Sequence, residues 1–316
     1  MSFAIATFNV ENLGARPGDA PDSDARLAAL RPVLAALAAD ILCLQEVNAP
    51  SPDPQGARTF GSLDRLLEGT PYAHFHRAAR TRPGADEPAD VHNLVILSRY
   101  RLTGIRQLHH DFVPQWDWIP PGEREPVRAI FDRPILSACV QAPGGPVHAL
   151  NLHLRAPRAA HLPVEKSAGR WLTSSGWAKG MYLASQLRQA QALEARLFVE
   201  AVFDCEPDAR IIVCGDFNAD SFETPTRILC GAPEDGEDEA FLKRRLERLE
   251  MRAPVGKRFS IIHGGRKALL DHVLASQNLA RLCGSVEILN EGLVDEAHAP
   301  QGFPGSLHAP VVARFA

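Results

Sequence analysis

The stretch RIIVCGDFNAD, residues 210–220, decides how the rest of the chain is read. Its apolar run, Arg210–Cys214, has the length of a buried strand and breaks abruptly into Gly, Asp and Asn. A core has no use for a carboxylate there. The same construction recurs in both directions. FAIATFNVE (3–11) ends the strand Phe3–Val10 on Asn9 and Glu11, and ILCLQE (41–46) ends the strand Ile41–Gln45 on Glu46. The run Val147–Leu154 carries Asn151 and His153, Leu270–Ala275 carries Asp271, and His308 precedes the final run Pro310–Phe315. Asp216 and Asn218 belong to the quoted stretch itself. A single strand-end Asp or Asn reads as a turn former. Nine polar residues at one kind of position read differently, because strand ends along one sheet edge converge in space. Carboxylates, amides and imidazoles gathered there suit a Mg²⁺ or Mn²⁺ site facing phosphoryl oxygens.

Around these runs the element types intermingle. Ser23 reads as the N-cap of a helix reaching Ala39, with Leu27, Leu30, Leu34 and Leu37 along one face and Pro32 kinking it. A short helix around Leu63–Leu67 follows. Runs at Ala73–Arg77, Leu94–Leu97, Pro126–Phe131 and Ile135–Gln141 read as neighbouring antiparallel strands separated by turn clusters. Residues 155–180 show no period and lead into a long helix, Met181–Phe203. Beyond GDFNAD, the sign-alternating stretch Asp238–Glu250 reads as a solvated helical face. Short β-like runs at Phe259–Ile262 and Val286–Leu289 precede the last strand. No repeat and no linker divides the chain, so residues 1–316 read as one α/β domain with two sheets covered by helices.

The 316 residues carry a formal net charge of -4, with 45% hydrophobic and 23% charged residues, which excludes a disordered or fibrous chain. No apolar stretch approaches the roughly 20 residues of a membrane helix, so no membrane span is expected. Mild acidity argues against a dedicated duplex-DNA binder and leaves room for a local basic groove. The six cysteines form no C-x-x-C pair and read as reduced thiols, not as a zinc ribbon or redox motif. With no basic and apolar leader ahead of FAIATFNV, a cytoplasmic location is expected.

These motifs resemble those of the endonuclease/exonuclease/phosphatase superfamily, which includes pancreatic DNase, abasic-site endonucleases, neutral sphingomyelinases and inositol polyphosphate 5-phosphatases. The matching runs are TFNVENL, LCLQEV, NLVILSRY, LNLHL, VCGDFNA, LLDHVLAS and LHAPVVARF, in the family's order and over almost the whole chain. The resemblance implies a mixed α/β (α+β) fold, a four-layer αββα sandwich of two packed, mainly antiparallel sheets flanked by helices. It implies that Glu46 is the principal metal ligand, with Asn9 and Glu11 supporting it. Asp216 then orients or deprotonates the attacking water, and Asn218 holds the scissile phosphate. Asn151 and His153 take phosphate-side positions. Asp271 fixes the tautomer of His308, which stabilises or protonates the phosphoryl oxygens. The implied cofactor is Mg²⁺ or Mn²⁺, and the implied partner is a phosphodiester substrate, nucleic acid or small phosphoester. No protein partner is evident. One position departs from the pattern: Leu307 stands where the family places Asp before its final His.

The chemistry supports the same assignment. Phosphodiester hydrolysis needs an activated water, charge neutralisation on the non-bridging oxygens and help for the leaving alkoxide. Arg133 and Arg155 are placed to hold substrate phosphate, and Arg155–Tyr182 is a candidate specificity loop. His74 and His76, alternating on one run, and His109 with His110 read as structural or surface histidines. Two other functions compete. A non-catalytic, phosphate-binding member of the superfamily would be expected to lack Glu46, Asp216 or His308, and all three are present. A binuclear metallophosphoesterase of the calcineurin type shares the GD dipeptide but needs a later GNH, which is missing.

Overall fold

The computed structural model describes residues 2–14, 23–51, 56–82, 86–163, 165–231 and 239–316. Strand β1 (Phe3–Leu13) leads through helix α1 (Asp24–Leu37) into β2 (Ile41–Val47). Helix α2 (Gly61–Leu67) precedes β3 (His76–Ala79), β4 (Asn93–Ser98) and β5 (Leu102–Leu108). A small hairpin of β6 (Trp116–Trp118) and β7 (Val127–Ala129) is followed by β8 (Ile135–Val140) and β9 (Val147–His153). A second hairpin, β10 (Lys166–Ser167) with β11 (Arg170–Trp171), precedes the long helix α3 (Ser174–Cys205). Next come β12 (Ile211–Asp216), α4 (Thr224–Cys230), α5 (Glu239–Lys243) and β13 (Leu246–Arg248). The chain closes with the hairpin β14 (Ile261–His263) and β15 (Arg266–Ala268), then β16 (Asp271–Ser276), α6 (Gln277–Ala280), β17 (Cys283–Ile288) and β18 (Val311–Phe315). No helix among the described residues is long and apolar enough to cross a membrane.

Twelve of these strands form two six-stranded sheets, ordered β17-β18-β1-β2-β4-β3 and β13-β16-β12-β9-β8-β5. Each sheet has one parallel pair, β1 with β2 and β9 with β12, and is otherwise antiparallel. Parallel neighbours need a crossover, and helices α1 and α3 supply the two. Alternation along the strands then builds the layers. Phe3, Ile5, Cys43 and Ile96 of one sheet meet Leu136, Ala149, Ile212, Cys214 and Val273 of the other. The opposite face of the first sheet (Ala6, Phe8, Leu42, Leu44) receives Leu27, Leu30, Leu34 and Leu37 of α1. Each buried leucine is worth about 1.5–3 kcal/mol, enough together to carry α1 past Pro32. Leu150, Ile211, Val213 and Leu274 receive Ala195, Phe198 and Val199 of α3 and Leu229 of α4. The result is the expected order of helices, sheet, sheet, helices.

The inward-facing set changes character at one end. On β12 the residues in phase with Ile212 and Cys214 end in Asp216, and on β16 those in phase with Val273 and Ala275 begin at Asp271. On β9 the sequence Val147, Ala149 runs on to Asn151 and His153, and on β1 Phe3, Ile5 runs on to Thr7 and Asn9. The apolar inter-sheet core therefore opens into a polar cluster without any strand leaving its sheet.

Several local expectations are corrected. Ala73–Arg77 is not a strand: Pro71 opens a 3₁₀ turn, Pro71–His74, and pairing starts only at His76. The run Pro126–Phe131 shrinks to Val127–Ala129. Helix α3 begins at Ser174 rather than Met181, because the Thr173 hydroxyl caps it, accepting from Gly176 N at 2.8 Å. The run Phe259–Ile262 yields a strand only at Ile261–His263. The charged stretch is not one helix. Asp238 lies outside the described residues, α5 stops at Lys243, and β13 and a 3₁₀ turn, Leu249–Arg252, follow.

Gly215 explains the glycine of GDFN. Its φ is +141°, and a Cβ there would stand 1.9 Å from the carbonyl oxygen of Leu152 on the paired strand β9. Only glycine fits. Gly215→Ala is expected to cost about 2–4 kcal/mol of stability, read as a lower urea midpoint at unchanged m-value. A midpoint equal to wild type would contradict the close approach of β9 and β12.

Candidate active site

At the polar ends of both sheets lies a cleft of about 660 Å³. Among its lining residues are Glu11, Glu46, His153, Asp216, Asn218 and His308. Asp216, buried at the end of β12, is the hub. Its Oδ2 accepts from Asn9 Nδ2 at 3.0 Å and its Oδ1 from the Asn218 backbone N–H at 2.8 Å. Asn9 Nδ2 also donates to Glu46 Oε1 at 3.3 Å, and Asn9 Oδ1 accepts from Glu11 N at 2.9 Å. One buried amide thus holds three acidic residues from β1, β2 and β12 in register.

Among the described residues, five of the eight non-glycine residues with positive φ line this cleft: Glu11, Asn12, Glu46, His92 and Asn218. The pairing of β1 with β2 and of β2 with β4 shifts register just where Glu11 and Glu46 occur. These kinks break the alternation that would have turned Glu46 toward α1. Left-handed backbone costs of order 1 kcal/mol per residue and persists where the surroundings over-determine it.

Two histidines face the carboxylates in different charge states. His308 Nδ1 hydrogen-bonds Asp271 Oδ2 at 2.8 Å, leaving Nε2 as its other nitrogen. Burial works against the imidazolium, yet the charge and hydrogen bond of Asp271, with Asp216 and Glu11 behind them, raise His308 to about 10. His153 behaves oppositely. Burial holds it well below its ordinary value, and the positive charges of Arg133, His92 and His308 add to that. Arg133 Nη1 lies against His153 Nδ1, and arginine can only donate, so the proton of the neutral ring sits on Nε2. That nitrogen lies 3.4 Å from Asp216 Oδ2 and 3.7 Å from Glu46 Oε1. Burial likewise pushes the Asp216 carboxyl up to about 6, against the opposing pull of His308 and with Asp271 adding to the rise. Glu11 is also raised, burial outweighing its hydrogen bond from Leu307 N at 2.6 Å.

The donor set fits a hard divalent cation. Glu46, Glu11 and Asp216 all present carboxylates to the cleft lining, and no thiol lines it among the described residues. The ligand atoms of Glu46, His92 and His153 also lie within 4.8 Å of one another, but with Arg133 against its Nδ1 and the proton on Nε2, His153 has no lone pair free for an ion.

The structure brings Asn9, Glu11, Glu46, His153, Asp216, Asn218, Asp271 and His308 together, but not Asn151. That residue is fully buried between the sheets, where Nδ2 donates to Leu44 O and Val95 O and Oδ1 accepts from Gln45 Nε2 at 2.7 Å. It ties the sheets together beneath the site and does not line the cleft. Arg133 and Arg155 do line it, sharing the carboxylate of Asp132 at 3.4 and 3.3 Å. Leu307 keeps its side chain out of the cleft lining, whereas Glu296 enters it, held by His263 at 3.0 Å. Asp295 is taken up by the N–H groups of Gly264 and Gly265.

Sequence reasoning missed His92 and Asp132. A signal for His92 existed: it stands immediately before β4, whose first residue Asn93 pairs with Val47, next to Glu46. It also missed Glu250, read as solvated. Glu250 is fully buried, binding His272 Nδ1 at 2.8 Å, while His272 Nε2 holds Ala219 O at 2.9 Å. This second acid–imidazole pair sits on the far face of β16 and pins the turn that follows Asn218.

The profile of the Endonuclease/Exonuclease/phosphatase family matches residues 6–293. No curated protein matches the sequence. Among solved structures the chain is similar to truncated Caenorhabditis elegans TDP2, at 14% identity and a TM-score of 0.57, covering 99% of this chain and 97% of that one. It is similar to the 3′ phosphatase NExo from Neisseria bound to a product DNA hairpin, at 19% identity and a TM-score of 0.53, covering 99% of each chain. It is also similar to an endonuclease/exonuclease/phosphatase protein from Beutenbergia cavernae, at 18% identity and a TM-score of 0.57, covering 99% of this chain and 71% of that one. Identities this low carry the fold alone. The family match spans nearly the whole chain, including all the strands that deliver the cleft except the last, and the chain therefore belongs to the Endonuclease/Exonuclease/phosphatase family of phosphoester hydrolases.

Proposed function

We propose that the protein is a divalent-metal-dependent phosphodiester hydrolase that works through an Asp216-activated water and the Asp271–His308 pair. The observation that carries this is the meeting, in one cleft, of the buried Asp216 carboxylate, the His308 imidazole held by Asp271 at 2.8 Å, and the acids Glu46 and Glu11. Asp216 accepts a proton from the attacking water as its oxygen bonds to phosphorus and the ester P–O bond breaks. His308, cationic throughout, donates from Nε2 to a non-bridging oxygen as charge gathers there. The leaving oxygen takes its proton from solvent. Asn9 and the neutral His153 keep Asp216 oriented, and burial together with Arg133 keeps His153 neutral. Asn218 frames the turn through Leu154 O at 3.0 Å. When bound by Glu46 and Glu11, Mg²⁺ or Mn²⁺ supplies neutralising charge for the phosphoryl oxygens. Six free cysteines, three of them buried, support a reducing, cytoplasmic setting.

Hydrolysis of bis(p-nitrophenyl) phosphate with Mg²⁺, Mn²⁺ or EDTA tests the reading. Turnover with either metal and none in EDTA is expected; no turnover with any divalent cation would favour the non-catalytic, phosphate-binding alternative. Leu307 adds a second expectation. Its backbone already holds Glu11, so Leu307→Asp places another carboxylate beside the proposed ligands. The half-saturating Mg²⁺ concentration should fall several-fold, within the 10–100-fold range of such contributions. An unchanged or higher value in a folded variant would sink the reading that Leu307 stands in the place of a metal-side carboxylate.

A further inference from the structure

Beside the cleft lies a second cavity of about 730 Å³, which shares His92, Asp132 and Arg133 with it as a common wall. Its other charged lining residues are Arg80, Arg82 and Asp90. The two carboxylates are already engaged. Asp90 pairs with Arg58, and Asp132 is divided among Arg133, Arg155 and the Gln191 amide at 3.2 Å. Arg82 pairs with Glu87 at 3.3 Å. Arg80 has no such partner: among the described residues no carboxylate pairs with it, and its Nε is buried without a hydrogen bond. Burial, followed by the charge of Arg133, lowers its affinity for its proton, with only Asp132 opposing. A half-buried guanidinium left without an anion, next to a second guanidinium, is costly unless something anionic fills the space. The planar, multidentate donor face of arginine matches phosphate.

The geometry points to a second phosphate site: the cavity of Arg80, Arg82 and Arg133 binds a phosphate of the substrate other than the one hydrolysed. The preferred substrate class is then a phosphoester that carries a second phosphate a short distance from the scissile one. A nucleotide strand and a small bisphosphorylated ester share that chemistry. This inference rests on the phosphoester reading of the cleft, and its test separates the two.

Thymidine 3′-phosphate 5′-(p-nitrophenyl phosphate) and thymidine 5′-(p-nitrophenyl phosphate) present the same scissile bond with and without the second phosphate. Wild type should prefer the former by roughly 10-fold or more in kcat/KM, the scale of a charge-assisted contact. Arg80→Gln should reduce that ratio by about 10-fold, and Arg80→Lys should recover part of it. A wild-type ratio near one, or a ratio unmoved in Arg80→Gln, overturns the inference while leaving the hydrolase reading intact. If Arg80→Gln does not fold, Arg82→Gln is scored in the same way. Calorimetry with thymidine 3′,5′-bisphosphate in EDTA gives a readout without turnover. Binding weakened in Arg80→Gln supports the site even if wild type cleaves neither ester, which would fell only the hydrolase reading. Equal binding by both proteins overturns the site. Competition by 1,3-propanediol bisphosphate against the thymidine compound tells the sources apart: equal potency supports the small-ester form, and a large deficit supports the nucleotide form.

Discussion

Asp216→Asn is expected to lower kcat by about 10³-fold or more with the fold retained. The carboxylate faces donors on three sides: Asn9 Nδ2, the Asn218 backbone N–H and the Nε2–H of His153. An asparagine offers one oxygen where two now accept, and its own NH₂ must oppose a donor. It also cannot take the proton of the attacking water. A 10³-fold loss corresponds to about 4 kcal/mol of transition-state stabilisation. Stability should change little, because removing a buried charge offsets the lost acceptor. The checks are kcat and KM on bis(p-nitrophenyl) phosphate alongside urea unfolding. More than a tenth of wild-type turnover in a folded variant would remove Asp216 from the role of base.

His308→Ala should lower kcat by about 10²–10³-fold with a much smaller change in KM, since the imidazolium acts on charge that grows only in the transition state. Asp271→Asn should reproduce part of the loss by removing the charge that keeps His308 protonated. Because one residue acts through the other, the double variant should lose less than the sum; full additivity would mean they are not a coupled pair. The pair also has a stability signature. His308 is raised from its ordinary 6.5 to about 10 in the folded protein, so its contribution is complete below pH 6.5 and is lost as pH rises toward 10. In EDTA, the stability difference between wild type and His308→Ala should shrink across that window. A difference that grew with pH would contradict the charge assignment.

How much of this was legible beforehand differs from element to element. Strands with Asn9, Glu46, Asp216 or Asp271 near one end stood out because apolar runs have period two and an amide or carboxylate at their end is foreign to a core. Asn151 shows where that logic stops. It obeys the same period as His153 and sits on the same inward face, one step deeper. Depth is set by how the second sheet stacks against β9, and Gln45 of that sheet turns Asn151 into a tie between layers. Glu250 failed for the opposite reason. Alternating charge looks solvated in one dimension, but β13 adds to the edge of a sheet and carries the following turn beneath β16.

By itself, then, the sequence determined the layers, the strand–helix crossovers and the kit of oxygen and imidazole groups, because each depends on local period and residue chemistry. Tertiary structure alone decided what that kit became. Two imidazoles with the same intrinsic basicity ended in opposite charge states, His308 against the carboxylate of Asp271 and His153 against the guanidinium of Arg133. The positions of His92, Asp132 and Arg133 along one shared wall were likewise decided by pairing between strands far apart in the chain. Electrostatic identity is a property of neighbours, and neighbours from distant segments exist only once the sheets have stacked.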